Sequence, residues 1–104
     1  MLKRRYEMQL PLKYNDGRTV DEDHFEQTRQ DLVAQFGALC FHPTVVRGIW
    51  VHQGARFEDE LLRIVVDVDD SAENHEFFLA FKATLIERFE QLEIYIASYP
   101  VDIL

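Results

Sequence analysis

Leu61-Leu62-Arg63-Ile64-Val65-Val66-Asp67-Val68 is the most β-prone run of this chain, rich in β-branched residues and free of Gly and Pro. It reads as the second strand of a hairpin that fills Thr44 to Asp70. The first strand spans Val45 to His52, the turn is Gln53-Gly54-Ala55, and the second strand spans Phe57 to Val68. Any fold for this chain has to be built around that pair.

The flanking segments supply the rest. Tyr6 to Tyr14 alternates, with Tyr6, Met8, Leu10 and Leu12 on one side and Glu7, Gln9 and Lys13 on the other, which predicts a half-buried strand. Pro11 removes one backbone donor from it, and Asn15-Asp16-Gly17 makes a turn. Thr19-Val20-Asp21-Glu22 matches a capping box and predicts a helix over Val20 to Phe36, closed by Gly37. Its apolar stripe takes Phe25, Thr28 or Arg29, Leu32, Val33 and Phe36. Ala38 to Pro43 reads as connecting chain or an early strand. Beyond the hairpin, Ser71 is the cap of a second helix whose stripe is Phe78, Phe81, Leu85 and Phe89, widened by Phe77 and Ile86. Leu92 to Tyr99 alternates again as a terminal strand. The order β-α-β-β-α-β predicts a single ferredoxin-like α+β domain over residues 1–104, with two helices on one face of a four-stranded antiparallel sheet.

Composition narrows the setting. A lone cysteine, Cys40, excludes an internal disulfide and suits a reducing cytoplasm. The start Met1-Leu2-Lys3-Arg4-Arg5 is not followed by a signal peptide's apolar stretch, because Glu7, Gln9, Pro11 and Lys13 interrupt it. No run is long enough for a transmembrane helix, so a cytoplasmic protein without membrane partners is expected. A net charge of −8 opposes nucleic-acid binding, which needs a basic face. Lys3-Arg4-Arg5, the one basic cluster, reads as a solvated, frayed end.

In such a fold the helices leave one sheet face bare. With Tyr6, Met8, Leu10, Leu62, Ile64, Val66, Val68, Leu92, Ile94 and Ile96 turned to the core, alternation puts Glu7, Gln9, Leu61, Arg63, Val65, Asp67, Glu93, Tyr95, Ala97 and Tyr99 on that face. The first hairpin strand is ambiguous: either Val46, Gly48 and Trp50 face inward, or Val45, Arg47, Ile49 and Val51 do. Trp50 is accordingly either a core residue with Gly48 making room beside it, or the hot spot of an interface or pocket. The apolar content of the bare face predicts a homodimer packed through it. Alternatively the face holds a small molecule or a protein partner, with Arg47, Arg63, Tyr95 and Tyr99 as polar anchors.

Sites for chemistry are few. The four glycines, Gly17, Gly37, Gly48 and Gly54, share no loop, which excludes a Gly-rich phosphate cradle. His24, His42, His52 and His75 lack the spacing of a metal site. Asp67-x-Asp69-Asp70 is dense enough in carboxylates for a divalent cation, but reads more simply as a strand exit before an acidic helix start. Cys40 with His42 two residues on could form a nucleophile pair, although Leu39 and Phe41 suggest a partly buried strand edge. No catalytic set, metal site or cofactor motif emerges.

Gly48-Ile49-Trp50, Gly54 and Glu60-Leu61-Leu62-Arg63-Ile64, after a capped helix, resemble an uncharacterised family of small bacterial ferredoxin-like domains. The resemblance covers about two-thirds of the chain. That family has no established activity; the resemblance implies the fold and points to Arg47, Gly48, Trp50 and Glu60. The expectation is a non-enzymatic, homodimeric binding or interaction module. The alternative is a small dimeric α+β barrel-type enzyme acting on a small organic molecule, with Arg47, His52 and Tyr95 lining a pocket near the hairpin. The candidate ligand or interface residues are therefore Arg47, Trp50, His52, Glu60, Arg63, Tyr95 and Tyr99.

Overall fold

A computed structural model describes residues 2–104, with side chains for all of these except 41–44. The element order is β1 (Leu2–Pro11), α1 (Glu22–Phe36), β2 (Cys40–His52), β3 (Ala55–Asp69), α2 (Ala72–Arg88) and β4 (Tyr95–Asp102). All three strand pairings are antiparallel, and the sheet order is β2-β3-β1-β4. This is the ferredoxin-like βαββαβ plan.

The core lies between the sheet and the helices. Met8, Leu10, Ile64, Val66 and Val68 face the buried side of α1, formed by Phe25, Thr28 and Leu32, and that of α2, formed by Phe78, Phe81 and Leu85. Tyr6 stacks on Phe78 at 3.9 Å between centroids, and Phe25 meets Phe89 edge-on at 5.2 Å. Thr28 is fully buried but satisfied. It donates to the His24 carbonyl at 2.8 Å and accepts from Arg88 at 2.8 Å, while Arg88 also reaches Asp31 at 2.7 Å. One guanidinium thus ties the two helices together.

Local signals acted unevenly. Ser71 caps α2, accepting from the Asn74 amide at 3.1 Å, and Gly37 closes α1 in the left-handed region at φ 83°. The Thr19–Glu22 capping box does not form. Thr19 instead bridges Lys13 in the loop after β1, Val20 is buried, and α1 starts at Glu22 behind Asp21. Burying Val20 and pairing Thr19 delays the helix by two residues. Val33 is half exposed, so Thr28 and Leu32 carry the stripe.

Two strand expectations also shift. α2 runs on to a cap at Phe89 and is followed by Glu90, at φ 52°, which reverses the chain without a glycine. Leu92 is thrown outward, β4 begins only at Tyr95, and Glu93 lies off the sheet, paired with Lys82 at 2.8 Å. At the other end, Lys3-Arg4-Arg5 is not a frayed end. It lies within β1 and pairs with the carboxylates of Asp69, Asp70 and Asp67 at 2.7, 2.9 and 2.7 Å. The basic and acidic clusters, each without a partner in sequence, are each other's partners across β1 and β3.

Candidate functional site

β1 pairs with β3 as far as Leu61, and the Leu12 amide just beyond it donates to the Glu60 carbonyl at 3.0 Å, so residues 55–59 of β3 and their partners on β2 run on as a two-stranded arm. Five residues of strand make the arm about 17 Å long. The turn is Gln53-Gly54, both with positive φ (51° and 79°), the conformation that matches the twist of a tight hairpin. Trp50 faces Phe57, Gly48 faces Asp59 and Val46 faces Leu61, which places Trp50 on the extension of the open sheet face rather than in the core. The helices pack on the other face of the sheet, so Trp50 is 47% exposed and the core reading of it is corrected. Its ring stacks on Phe57 at 4.4 Å, and its indole N–H donates to Asp59 at 2.8 Å. A Cβ at Gly48 would lie 3.3 Å from the Leu61 side chain, so a larger residue there would have to push that side chain aside.

The opposite face of the arm carries Val45, Arg47, Ile49 and Val51 on β2 against Arg56, Glu58 and Glu60 on β3. Ile49 and Val51 are 60% and 69% exposed. Both faces of the arm therefore show apolar side chains to solvent.

The body of the open face is different. Glu7, on β1, accepts from the Arg63 guanidinium and from the Tyr99 hydroxyl, the latter at 2.7 Å, while Arg5 grips Asp67 with two nitrogens at 2.7 and 2.9 Å. These side chains roof Val65, which is buried. The Tyr99 hydroxyl, then Arg63, hold the Glu7 carboxyl below the usual range, and the Arg5 hydrogen bond does the same for Asp67. Tyr95 lies beside Gln9 at the far edge and is more than half exposed. Charges here are already matched within the chain.

The seven candidate residues thus fall into separate groups. Trp50 and His52 share the open side of the arm, with ring centroids 6.3 Å apart, while Arg47 and Glu60 oppose one another on its other side. Arg63, Tyr95 and Tyr99 lie on the body, where Glu7 joins them; sequence reading placed Glu7 on this face without making it a candidate. Its signal was a carboxylate directly between Arg5 and Gln9 on an alternating strand. Arg47, His52 and Tyr95 line no common pocket in one copy of the chain.

Two clefts lie elsewhere, one of about 120 Å³ among Tyr6, His75, Phe78, Lys82, Ile96 and Ser98, and one of about 330 Å³ between the helices beside Asp31, Phe77 and Phe81. Neither is lined by a candidate residue. Among the described residues no group of three or more His, Cys, Asp or Glu side chains is placed to hold a metal ion. The Cys40–His42 pair includes His42, which lies outside the described side chains. Among the described residues no helix is long and apolar enough to cross a membrane.

The fold has solved counterparts. A phage SAM lyase in complex with S-methyl-5′-thioadenosine is similar with a TM-score of 0.65 and 17% identity, over 97% of this chain and 90% of that one. The divalent cation tolerance protein CutA1 from Thermus thermophilus is similar with a TM-score of 0.65 and 16% identity, over 99% of this chain and 86% of that one. At such identities the likeness is one of fold. No protein-family model matches the chain, and no curated protein matches it.

Proposed function

We propose that this protein is a non-enzymatic interaction module that works as a homodimer, with the arm as its contact. The observation that carries the reading is the arm's apolar exposure on both faces: Trp50 and Phe57 on one, Ile49 and Val51 on the other. A two-stranded ribbon is marginal by itself, and aromatic side chains of this kind supply most of the energy where chains meet. The matched charges on the body of the open face move the expected contact outward, from the whole face to its extension on the arm. Membership in the bacterial family that the Gly48-Ile49-Trp50 strand resembles, and a cytoplasmic setting for the lone Cys40, belong to the same proposal.

The test is the mass of the native protein in solution, by native mass spectrometry or light scattering, for the wild type, Trp50→Glu and Tyr95→Glu. A wild-type dimer at micromolar concentration is expected. Trp50→Glu sets a charge in the contact and gives a monomer, whereas Tyr95→Glu stays dimeric. A monomeric Tyr95→Glu beside a dimeric Trp50→Glu would return the contact to the sheet body. A monomeric wild type would overturn the reading.

A second reading, a small enzyme acting on a small organic molecule, draws on one feature. The Trp50–Phe57 stack, its indole held by Asp59, is a flat aromatic platform suited to a planar ring. The nucleoside bound to the lyase counterpart suggests the probe. In this reading, titration with S-methyl-5′-thioadenosine quenches the fluorescence of Trp50, the chain's only tryptophan, with saturation. An unchanged signal at millimolar ligand would remove it.

A further inference from the structure

We infer that the outer edge of β2, from Val45 to Val51, pairs antiparallel with the same edge of a second copy, joining two arms into one four-stranded ribbon. The inference rests on the homodimer reading above and specifies its contact. It starts from where the backbone groups point. Across the two-residue turn Gln53-Gly54, His52 and Ala55 form the first hydrogen-bonded pair of the hairpin. Alternation then aims the N–H and C=O groups of Trp50, Gly48 and Val46 at β3, and those of Val51, Ile49 and Arg47 outward from the sheet.

Chains normally guard such an edge with proline, lysine or inward charge. The opposite edge of this sheet, β4, is guarded: it carries Pro100, which has no N–H to offer, and ends in Asp102. Val45-Val46-Arg47-Gly48-Ile49-Trp50-Val51 has no proline and a single charge. Pro43 stands earlier in β2, so the open stretch of this edge begins after it.

The composition of the segment selects a second copy as the occupant. In an antiparallel pair centred on Gly48, Arg47 faces Ile49 of the second copy, Val45 faces its Val51, and Val46 faces its Trp50. No like charges oppose one another, and the last pair is the aromatic–β-branched kind that stabilises sheets. Along β3 the outer edge is already taken at Glu60 by the Leu12 amide, and pairing what remains about Glu58 would set that carboxylate against its own copy, in a chain with a net charge of −8. The acidic strand is thus kept to the outside and the apolar one to the contact.

Two measurements test the pairing. In the wild type, residue-resolved hydrogen exchange is expected to show the amides of Arg47, Ile49 and Val51 protected at least about 100-fold at dimer-forming concentration, although the β2–β3 register aims them away from β3. Ile49→Pro removes one outward N–H and leaves the β2–β3 ladder intact, so it is expected to give a folded monomer with wild-type circular dichroism. A wild-type dimer whose Arg47, Ile49 and Val51 amides exchange freely would overturn edge pairing while leaving the homodimer reading in place, as would a dimeric Ile49→Pro. A ring of three copies would also overturn it, because a two-fold strand pair closes with two. A monomeric wild type would end both.

Discussion

Phe89→Ala is expected to destabilise this protein by about 3–5 kcal/mol, the cost of truncating a fully buried aromatic in a packed core. Phe89 lies just past α2 with no exposed surface, and meets Phe25 of α1 edge-on. Its ring fills space between the helices at the point where the chain turns back toward β4. Neighbouring groups are held by the sheet and by the Arg88 tie to Thr28 and Asp31, so the site cannot collapse around the void. For a domain of this length the melting temperature should fall by roughly 15–30 °C. Leu79→Ala, on the exposed side of α2, serves as the control and should change stability by less than about 0.5 kcal/mol. Urea denaturation of the three proteins decides it. A loss below about 1 kcal/mol for Phe89→Ala would mean that the ring is not clamped between the helices.

Glu7→Ala is the second large effect, about 1.5–3 kcal/mol at neutral pH, because it strips a charged acceptor from two donors at once. Arg63 and Tyr99 both end on this carboxylate, which stands across from the buried Val65. The pH dependence has a definite sign. The Glu7 carboxyl is held below its ordinary value of 4.5, so its contribution is complete above pH 4.5 and disappears as pH falls through the lowered folded-state value. Asp67, held down by Arg5, acts in the same direction below its ordinary 3.8. The stability gap between wild type and Glu7→Ala should therefore be constant from pH 7 to 5 and close as pH falls below 4.5. Urea titrations at pH 7, 5 and 3 would read it, and a gap that persists at pH 3 would show that the ionised carboxylate is not the source.

Much of the fold was legible because it depends on periodicity. The alternation of Tyr6, Met8 and Leu10, and the 3-4-4 spacing of Phe78, Phe81, Leu85 and Phe89, each select one buried face whatever the rest of the chain does. Ser71 and Gly37 were readable for a similar reason: a cap acts on backbone within its own turn. The Thr19–Glu22 box carried an equally good local signal and failed, because the tertiary structure used Thr19 as a bridge to Lys13 and buried Val20. Leu92 kept its alternating pattern but lost its strand to the reversal at Glu90. Local preferences amount to about 1 kcal/mol each, and a buried side chain outweighs them.

The candidate site was readable as residue types but not as an arrangement. Periodicity placed Arg63, Tyr95 and Tyr99 on one face, and the hairpin itself was plain from Val45 to Val68. Which side Trp50 takes could not be read, because a strand's two faces differ only by what covers them, and cover comes from elements distant in sequence. β1 stops opposite Leu61, so Ile49 and Val51 run on past the core on the helix side of the sheet, and Trp50 runs on along the face that the helices leave open. The same cause paired Lys3-Arg4-Arg5 with Asp67, Asp69 and Asp70 across more than sixty residues, converting an apparent frayed end and an acidic strand exit into one ladder of charges. By itself, then, the sequence determined the order of elements and the buried side of β1, β3 and the two helices, since those follow from spacing along the chain. Only the tertiary structure decided where the layers end, and with that which apolar residues are left for a partner.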